Sequence, residues 1–156
     1  MTNNLCLMVY NEIGILSRIT NLLVSKNFSI LNLSLNSTEI SNIYKIFLEI
    51  SGSKEEIDQI IKQLTKLIQV IEVKKVAQDN TIERQLMLVK VVCSNTKRTA
   101  LLEIANIFKA NIIDISDNFF IFEVFGNSEK IVNFQKLMKI YGNITVVKTG
   151  KVFIEK

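Results

Sequence analysis

One order of apolar segments occurs twice in this chain of 156 residues, and the second copy follows the first after about 80 residues. Stretches in which apolar and polar residues alternate predict β-strands, because successive side chains of a strand point to opposite faces. Apolar residues spaced three and four apart predict helices. The first copy reads strand, helix, strand, strand, helix, strand over Leu5–Tyr10, Ile15–Leu23, Ile30–Thr38, Ile43–Ile50, Ile57–Ile68 and Val70–Val76.

The second copy repeats this order. Its predicted elements are Leu86–Cys93, Thr99–Phe108, Asn111–Ser116, Phe119–Phe125, Ser128–Ile140 and Ile144–Lys148, with one more strand at Val152–Glu155. The order βαββαβ is that of a ferredoxin-like domain. Right-handed connections place both helices on one face of its four-stranded antiparallel sheet. We therefore predict an α+β chain with two ferredoxin-like domains in tandem, residues 1–77 and 84–156, joined by a linker over 78–83.

The first strand is apolar on both of its faces. Cys6, Met8 and Tyr10 alternate there with Leu5, Leu7 and Val9. Helices can cover only one face of the sheet, so another domain or another subunit should cover the other. This pattern favours an oligomer.

The residue inventory argues against catalysis and against a metal site. The chain has no His, which is the commonest general base and metal ligand. Its two cysteines, Cys6 and Cys93, lie in apolar strands and are expected to be buried. The carboxylates Glu12, Asp114 and Glu123 stand apart from any nucleophile motif. We predict no catalytic residue and no metal ligand.

Charge and hydropathy limit the possible partners further. The net charge of +4 comes from scattered residues, of which 16 are Lys and 3 are Arg, so no basic block indicates a nucleic acid. RNA-binding RRM domains share the βαββαβ order, but the third strand here, Asn42–Glu49, lacks their Gly- and aromatic-rich motif. No apolar run approaches the ~20 residues that span a bilayer. We expect no nucleic acid and no membrane.

The start of the chain and its composition bear on location. Residues Met1–Asn4 carry no basic region, and folded structure is predicted almost at once, so no leader is expected. The 24 Ile and 16 Asn residues suggest an AT-rich genome, such as that of a plastid or a reduced bacterium. The predicted location is the cytoplasm, or the plastid stroma if the gene is plastid-encoded.

The junction between the first strand and the first helix is the candidate binding site. It contains a single glycine, Gly14, directly before the helix. The first N–H groups of a helix have no partner within it and can bind a small anion. The N–H groups near Ile15 and Leu16 could therefore hold a carboxylate, and the side-chain oxygen of Asn11 could accept from an ammonium group. The same glycine would also suit a helix start that binds nothing.

Motifs in both halves resemble the small, regulatory subunit of acetolactate synthase (acetohydroxyacid synthase). The resemblance runs from Leu5 to about Val152. It rests on the order and spacing of Asn11-Glu12-x-Gly14-x-Leu16-Ser17-Arg18, Glu83-Arg84-x-x-Met87-Leu88-Val89-Lys90, Ile107-Phe108, Ile112-Ile113-Asp114 and Thr149-Gly150.

The resemblance implies an N-terminal ACT domain, a C-terminal ferredoxin-like domain and no active site in this chain. It implies a homodimer through the ACT domains that binds valine, or another branched-chain amino acid, between them. It also implies a partner: the large catalytic subunit, which carries thiamine diphosphate, magnesium and FAD and condenses 2-oxo acids in valine, leucine and isoleucine synthesis. The small subunit would activate this partner and confer feedback inhibition.

The implied effector site combines the loop with the second strand. Its residues are Asn11, Gly14, Ile15, Leu16, Ser29, Ile30 and Asn36. Ser29 stands where the family commonly has Asn, and Asn36 where it often has Ala. The loss of one hydrogen bond to a charged group costs ~1.5–3 kcal/mol, so the effector's identity and affinity stay open. The first half alone would also fit an ACT-type amino-acid sensor of a different enzyme.

Overall fold

The computed structural model describes residues 2–77 and 81–156. It divides the chain into two compact units, Met1–Thr81 with Lys151–Lys156, and Ile82–Gly150. Both units have the βαββαβ order, which confirms the predicted α+β class with two ferredoxin-like domains in tandem. Residues 78–80 of the predicted linker lie outside the described ranges.

The first unit is a four-stranded sheet with two helices. Its elements are β1 (Thr2–Tyr10), α1 (Ile15–Ser25), β2 (Ser29–Ser37), β3 (Ile43–Ser51), α2 (Lys54–Leu64) and β4 (Val70–Lys75). The strands lie in the order β2-β3-β1-β4, and the pairs of neighbours are antiparallel. Strand β2 is therefore at an edge, with one side of its backbone unpaired inside the unit.

The core of the first unit lies between this sheet and the two helices. Leu5, Leu7 and Val9 of β1 are fully buried against Ile19 and Leu23 of α1 and their neighbours. Strand β2 contributes less regularly than its alternation predicts. The register with β3 shifts between Ile30 and Asn32, so that Ile30, Leu33 and Leu35 pair with the buried residues of β3. Leu31 is the extra residue of this bulge and is 55% exposed.

The second unit repeats this architecture. Its elements are β5 (Thr81–Val92), a 3-10 turn (Asn95–Lys97), α3 (Arg98–Ile107), β6 (Asn111–Ile115), β7 (Phe119–Gly126), α4 (Ser128–Tyr141) and β8 (Asn143–Lys148). The strands lie in the order β6-β7-β5-β8. Phe120, Phe122 and Phe134 are the largest side chains of its core, where Cys93 is also buried as predicted.

The last strand, β9 (Val152–Glu155), belongs to the returning segment, Lys151–Lys156. The sequence pattern predicts this segment in the second domain, whereas its contacts group it with the first unit. It contacts the face of the first sheet that the helices leave open, where Phe153 meets Phe47 of β3. Part of the cover that β1 was predicted to need therefore comes from the same chain. Cys6, on that face, is half-buried rather than buried.

Among the described residues, no helix is both long and apolar enough to cross a bilayer.

Candidate functional site: the β1–α1 loop

Backbone hydrogen bonds fix the path of the loop between β1 and α1. The N–H of Asn11 donates to the carbonyl of Asn42 at 2.9 Å, and the N–H of Glu12 donates to the carbonyl of Tyr10 at 2.9 Å. The N–H of Ile15 donates to the carbonyl of Glu12 at 3.2 Å. The loop is thus a defined turn that delivers the chain to the first residue of α1.

Gly14 is the N-cap of α1 and has a left-handed backbone, with φ 85° and ψ 0°. L-residues rarely adopt this conformation, because Cβ then approaches the backbone too closely. A Cβ built on Gly14 would meet no other atom within 4 Å. The glycine is therefore required by its backbone conformation and not by crowding, and the space in front of the helix is open.

The free donors of this helix start lie slightly further along than the prediction placed them. The N–H of Ile15, one of the predicted donors, is already bonded to Glu12. The N–H groups of Leu16 and Ser17 have no acceptor among the described residues, and α1 has no side-chain cap. An incoming carboxylate would meet these two N–H groups at the positive end of the helix dipole.

The side chains of the loop divide between the core and the solvent. Ile15 is buried in the core and anchors the helix start, whereas Leu16 is 38% exposed and Ile13 is fully exposed. The Asn11 side chain is exposed and makes no hydrogen bond with the described residues, so it is available to a ligand. Exposed apolar side chains beside unpaired N–H groups are typical of a surface that another molecule covers.

One residue of the loop has a partner that sequence reasoning missed. The Oε2 atom of Glu12 accepts a hydrogen bond from Nε2 of Gln69 at 2.9 Å, and the carbonyl of Gln69 accepts from the N–H of Tyr10 at 2.9 Å. Gln69 is only 8% exposed. It lies 57 residues from Glu12 in the sequence, and no local pattern could have indicated the pair.

The remaining predicted residues lie on β2, at two different ends of the sheet. Register pairs Asn36 with Lys45, which pairs on its other side with Met8, near the end of β1 that leads into the loop. Ser29 pairs with Ser51 at the opposite end. Seven residues of strand separate the two positions, roughly 20 Å. Within one protomer, the loop and Asn36 share an end of the sheet, and Ser29 and Ile30 are distant from them.

Ser34 and Asn36 also differ from Ile30 in the face that they occupy. The Nδ2 atom of Asn36 donates to Oγ of Ser34 at 3.1 Å, on the face away from the helices. Ile30 packs against the core on the helix face. A site that uses all seven predicted residues would need strand β2 of a second copy.

The described residues contain no cluster of three potential metal ligands. What the loop offers chemically is recognition: a pair of free N–H groups for a carboxylate, an exposed amide and exposed apolar side chains.

Two family descriptions match the two halves of the chain. Residues 5–72 match the AHAS small subunit-like ACT domain, and residues 84–156 match the small subunit of acetolactate synthase.

Similar proteins extend over nearly the whole chain. A probable acetolactate synthase small subunit from Archaeoglobus fulgidus is 35% identical over 152 residues, which cover 97% of this chain and 95% of that protein. The acetolactate synthase small subunit of Aquifex aeolicus is 33% identical over 149 residues, which cover 95% and 78%.

A solved structure shares the fold along the full length. It is the acetolactate synthase small subunit from Thermotoga maritima, with a TM-score of 0.87, 24% identity and coverage of 100% of this chain and 98% of that one. The identity of the archaeal and bacterial relatives across both units shows that this chain belongs to the family of acetolactate synthase small subunits.

Proposed function

We propose that this chain activates the catalytic large subunit of acetolactate synthase and makes it sensitive to a branched-chain amino acid, of which valine is the first candidate. In this proposal thiamine diphosphate, magnesium and FAD belong to the large subunit, and this chain binds only the effector. The membership of the family supplies the partner and the place in branched-chain amino acid synthesis.

The single observation that carries the effector site is the open start of α1. The N–H groups of Leu16 and Ser17 have no acceptor among the described residues, and the Cβ position of the neighbouring Gly14 meets no atom within 4 Å. In the proposed complex they bind the effector's carboxylate. The exposed side-chain oxygen of Asn11 accepts from its ammonium group, and apolar residues surround its side chain.

A dimer through β2 would complete this site. The outer edge of β2 is unpaired within its unit, and its Leu31 and Leu35 are 55% and 40% exposed. Two copies of an edge strand can pair antiparallel about a two-fold axis. A pairing centred on the middle of β2 sets Ser29 of the partner subunit opposite the Asn36 end of this one. This arrangement supports a site between subunits that takes its loop from one copy and its strand from the other.

Inhibition would then follow from a difference in affinity. An effector shifts the equilibrium between the active and less active arrangements of the holoenzyme only if it binds one of them more tightly. A coupling free energy of ~1–3 kcal/mol is typical and would suffice for partial inhibition.

The test uses the purified chain alone and together with its large subunit. We expect stimulation of acetolactate formation by the chain, inhibition of the stimulated rate by an effector, and a calorimetric binding signal with valine, leucine or isoleucine. Asn11→Ala should weaken binding about tenfold or more, because it removes the acceptor for a charged group. Asn133→Ala, at an exposed position of α4, is the matched control.

The two parts of the proposal fail separately. If none of the three amino acids gives a binding signal, the effector assignment is wrong and the activating role stands. If the large subunit is neither bound nor stimulated, the activating role is wrong.

A further inference from the structure

The returning segment forms one wall of a cavity on the open face of the first sheet. The rings of Phe153 and Phe47 lie 5.8 Å apart at an angle of 52°. Nζ of Lys151 lies 2.6 Å from Oε1 of Glu49, and these two side chains are only 15% and 16% exposed. A largely buried ion pair and an aromatic contact thus hold the segment over the sheet.

Between the segment and the sheet is a cavity of about 240 Å³. Met8, Phe47 and Phe153 give it an apolar lining, and Cys6 contributes its thiol. This volume is below the usual range of about 300–1,000 Å³ for sites of drug-sized ligands. The cavity therefore suits a small metabolite that has an apolar part.

Four charged side chains also line the cavity, and two of them neutralise each other. Lys74 and Glu72 form an ion pair at 3.3 Å. Lys45 and Glu155 make no hydrogen bond and no ion pair with any other described residue. One cation, the half-buried Lys45, and one anion, the exposed Glu155, therefore remain among the lining residues.

We propose that this cavity binds a small zwitterion with an apolar side chain, an α-amino acid in chemical class. Its carboxylate pairs with Lys45 and its ammonium group with Glu155, while its side chain contacts Met8, Phe47 and Phe153. A simple anion or a simple cation would pair with only one of the two charges, whereas a zwitterion forms a charge-assisted contact with both.

This site is separate from the effector loop. None of the loop residues from Asn11 to Ser17 lines the cavity. The proposal does not rest on the function proposed above, and it applies to the isolated chain as well as to the holoenzyme.

Cys6 reports on the occupancy of the cavity, because a ligand seated there would block its thiol. Burial raises the pKa of the Cys6 thiol, so its alkylation by N-ethylmaleimide should be slow enough at pH 8 to follow by peptide mass spectrometry. Cys93, which is 8% exposed in the second unit, is the internal reference for opening of the fold.

The probe is L-norleucine, an unbranched amino acid, with hexanoate and pentylamine as analogues that lack the amino group or the carboxylate. We expect saturable protection of Cys6 by norleucine and protection at least tenfold weaker by either analogue, because each loses one charged hydrogen bond. The rate at Cys93 should not change.

Two variants test the assigned charges. Lys45→Gln and Glu155→Gln should each weaken the protection by norleucine about tenfold or more. Lys148→Gln, at an exposed strand position, and Glu103→Gln, at an exposed helix position, should not. Gly14→Asp in the effector loop should also leave it unchanged.

Several results would overturn the proposal. These are no protection by norleucine, equal protection by hexanoate or pentylamine, protection that survives both charge variants, or slowing at Cys93 in parallel with Cys6.

Discussion

Helix α1 begins differently from helices α2 and α4. At α2, Oγ of Ser53 accepts from the N–H of Glu56 at 3.3 Å, and Oε2 of Glu56 accepts from the N–H of Ser53 at 2.7 Å. At α4, Oδ1 of Asn127 accepts from the N–H of Lys130 at 3.0 Å. At α1, Gly14 supplies no side chain, and the N–H groups of Leu16 and Ser17 have no acceptor among the described residues.

At α2 and α4 a side chain binds a free N–H group of the first turn, whereas at α1 no described residue supplies such an acceptor. Free N–H groups at a helix start are satisfied by side chains, by water or by another molecule. At α2 and α4 the chain supplies the acceptors itself. At α1 the positive φ of Gly14 excludes most capping residues and leaves the donors accessible. Changes at the capped starts should therefore alter stability, and changes at the open start should alter binding.

The largest expected effect is on effector affinity, when a side-chain carboxylate is introduced at the start of α1. Gly14→Asp would place a carboxylate where the effector's carboxylate is proposed to bind, so the dissociation constant for valine should rise at least about tenfold, or ~1.4 kcal/mol. Gly14→Asn has nearly the same shape and tolerates positive φ equally, but carries no charge. Each should cost about 1 kcal/mol of unfolding free energy. Calorimetry with both variants tests the point, and equal affinity for valine in the two would contradict it.

Removal of the cap of α2 should lower the stability of the helix and leave effector binding unchanged. Ser53→Ala loses the acceptor for the Glu56 N–H and should destabilise the helix by about 1 kcal/mol. Hydrogen exchange of the α2 amides should accelerate correspondingly, while the affinity for the effector stays the same. Ser53→Asp keeps an acceptor and should exchange like the parent. A loss of effector binding in Ser53→Ala would show that the two kinds of helix start are not independent.

A smaller effect on stability is expected at α4, where a carboxylate from strand β5 contacts the first residue of the helix. Oε1 of Glu83 in β5 accepts from both the N–H, at 2.8 Å, and the hydroxyl of Ser128. Glu83→Gln keeps an oxygen acceptor but removes the charge at the helix start, and should cost about 0.5 kcal/mol. Glu103→Gln on the exposed face of α3 should cost nothing measurable in the same urea titration. If the two substitutions lowered the free energy of unfolding equally, Glu83 would not stabilise the start of α4.

The smallest effect concerns pH. The backbone N–H of Ser53, and then its side chain, lower the pKa of Glu56 below its ordinary value. Since the folded state holds the carboxylate in its charged form, this contribution is present above the unfolded pKa of about 4.3 and is lost as the pH falls through the lowered pKa. The stability difference between the parent and Glu56→Gln should therefore narrow as the pH falls below about 4. A difference that widens under acid would contradict this sign.

Local patterns were enough to predict most of the fold. The apolar run of β1, the period-two stretch of β3 and the helical stripe of α2 involve residues close in sequence, and the structure confirms each of them. The bulge at Leu31 was not predicted, because alternation over Leu31, Leu33 and Leu35 looks regular in the sequence.

Contacts between residues far apart in the sequence could not be predicted from local sequence patterns. The hydrogen bond between Glu12 and Gln69 and the ion pair between Lys151 and Glu49 join residues 57 and 102 positions apart. Neither contact produces a periodic pattern in the amino-acid sequence. At the candidate site, Gly14 and Asn11 could be identified from the strand–glycine–helix pattern. The occupied N–H of Ile15 and the free one of Ser17 depend on the path of the turn.

Because Lys151–Lys156 pack with the first unit, that unit consists of two segments that are far apart in the sequence. Domains tend to fold in the order in which they leave the ribosome. Here the sheet of the first unit is synthesised well before the segment that covers Cys6, Met8 and Phe47, and all of the second unit is translated in between. During that interval the growing chain carries an apolar sheet face open to other nascent chains and to chaperones. Stop codons directly after Gly150 would remove β9, so this face would lose that cover although all four strands of the first sheet would still be encoded.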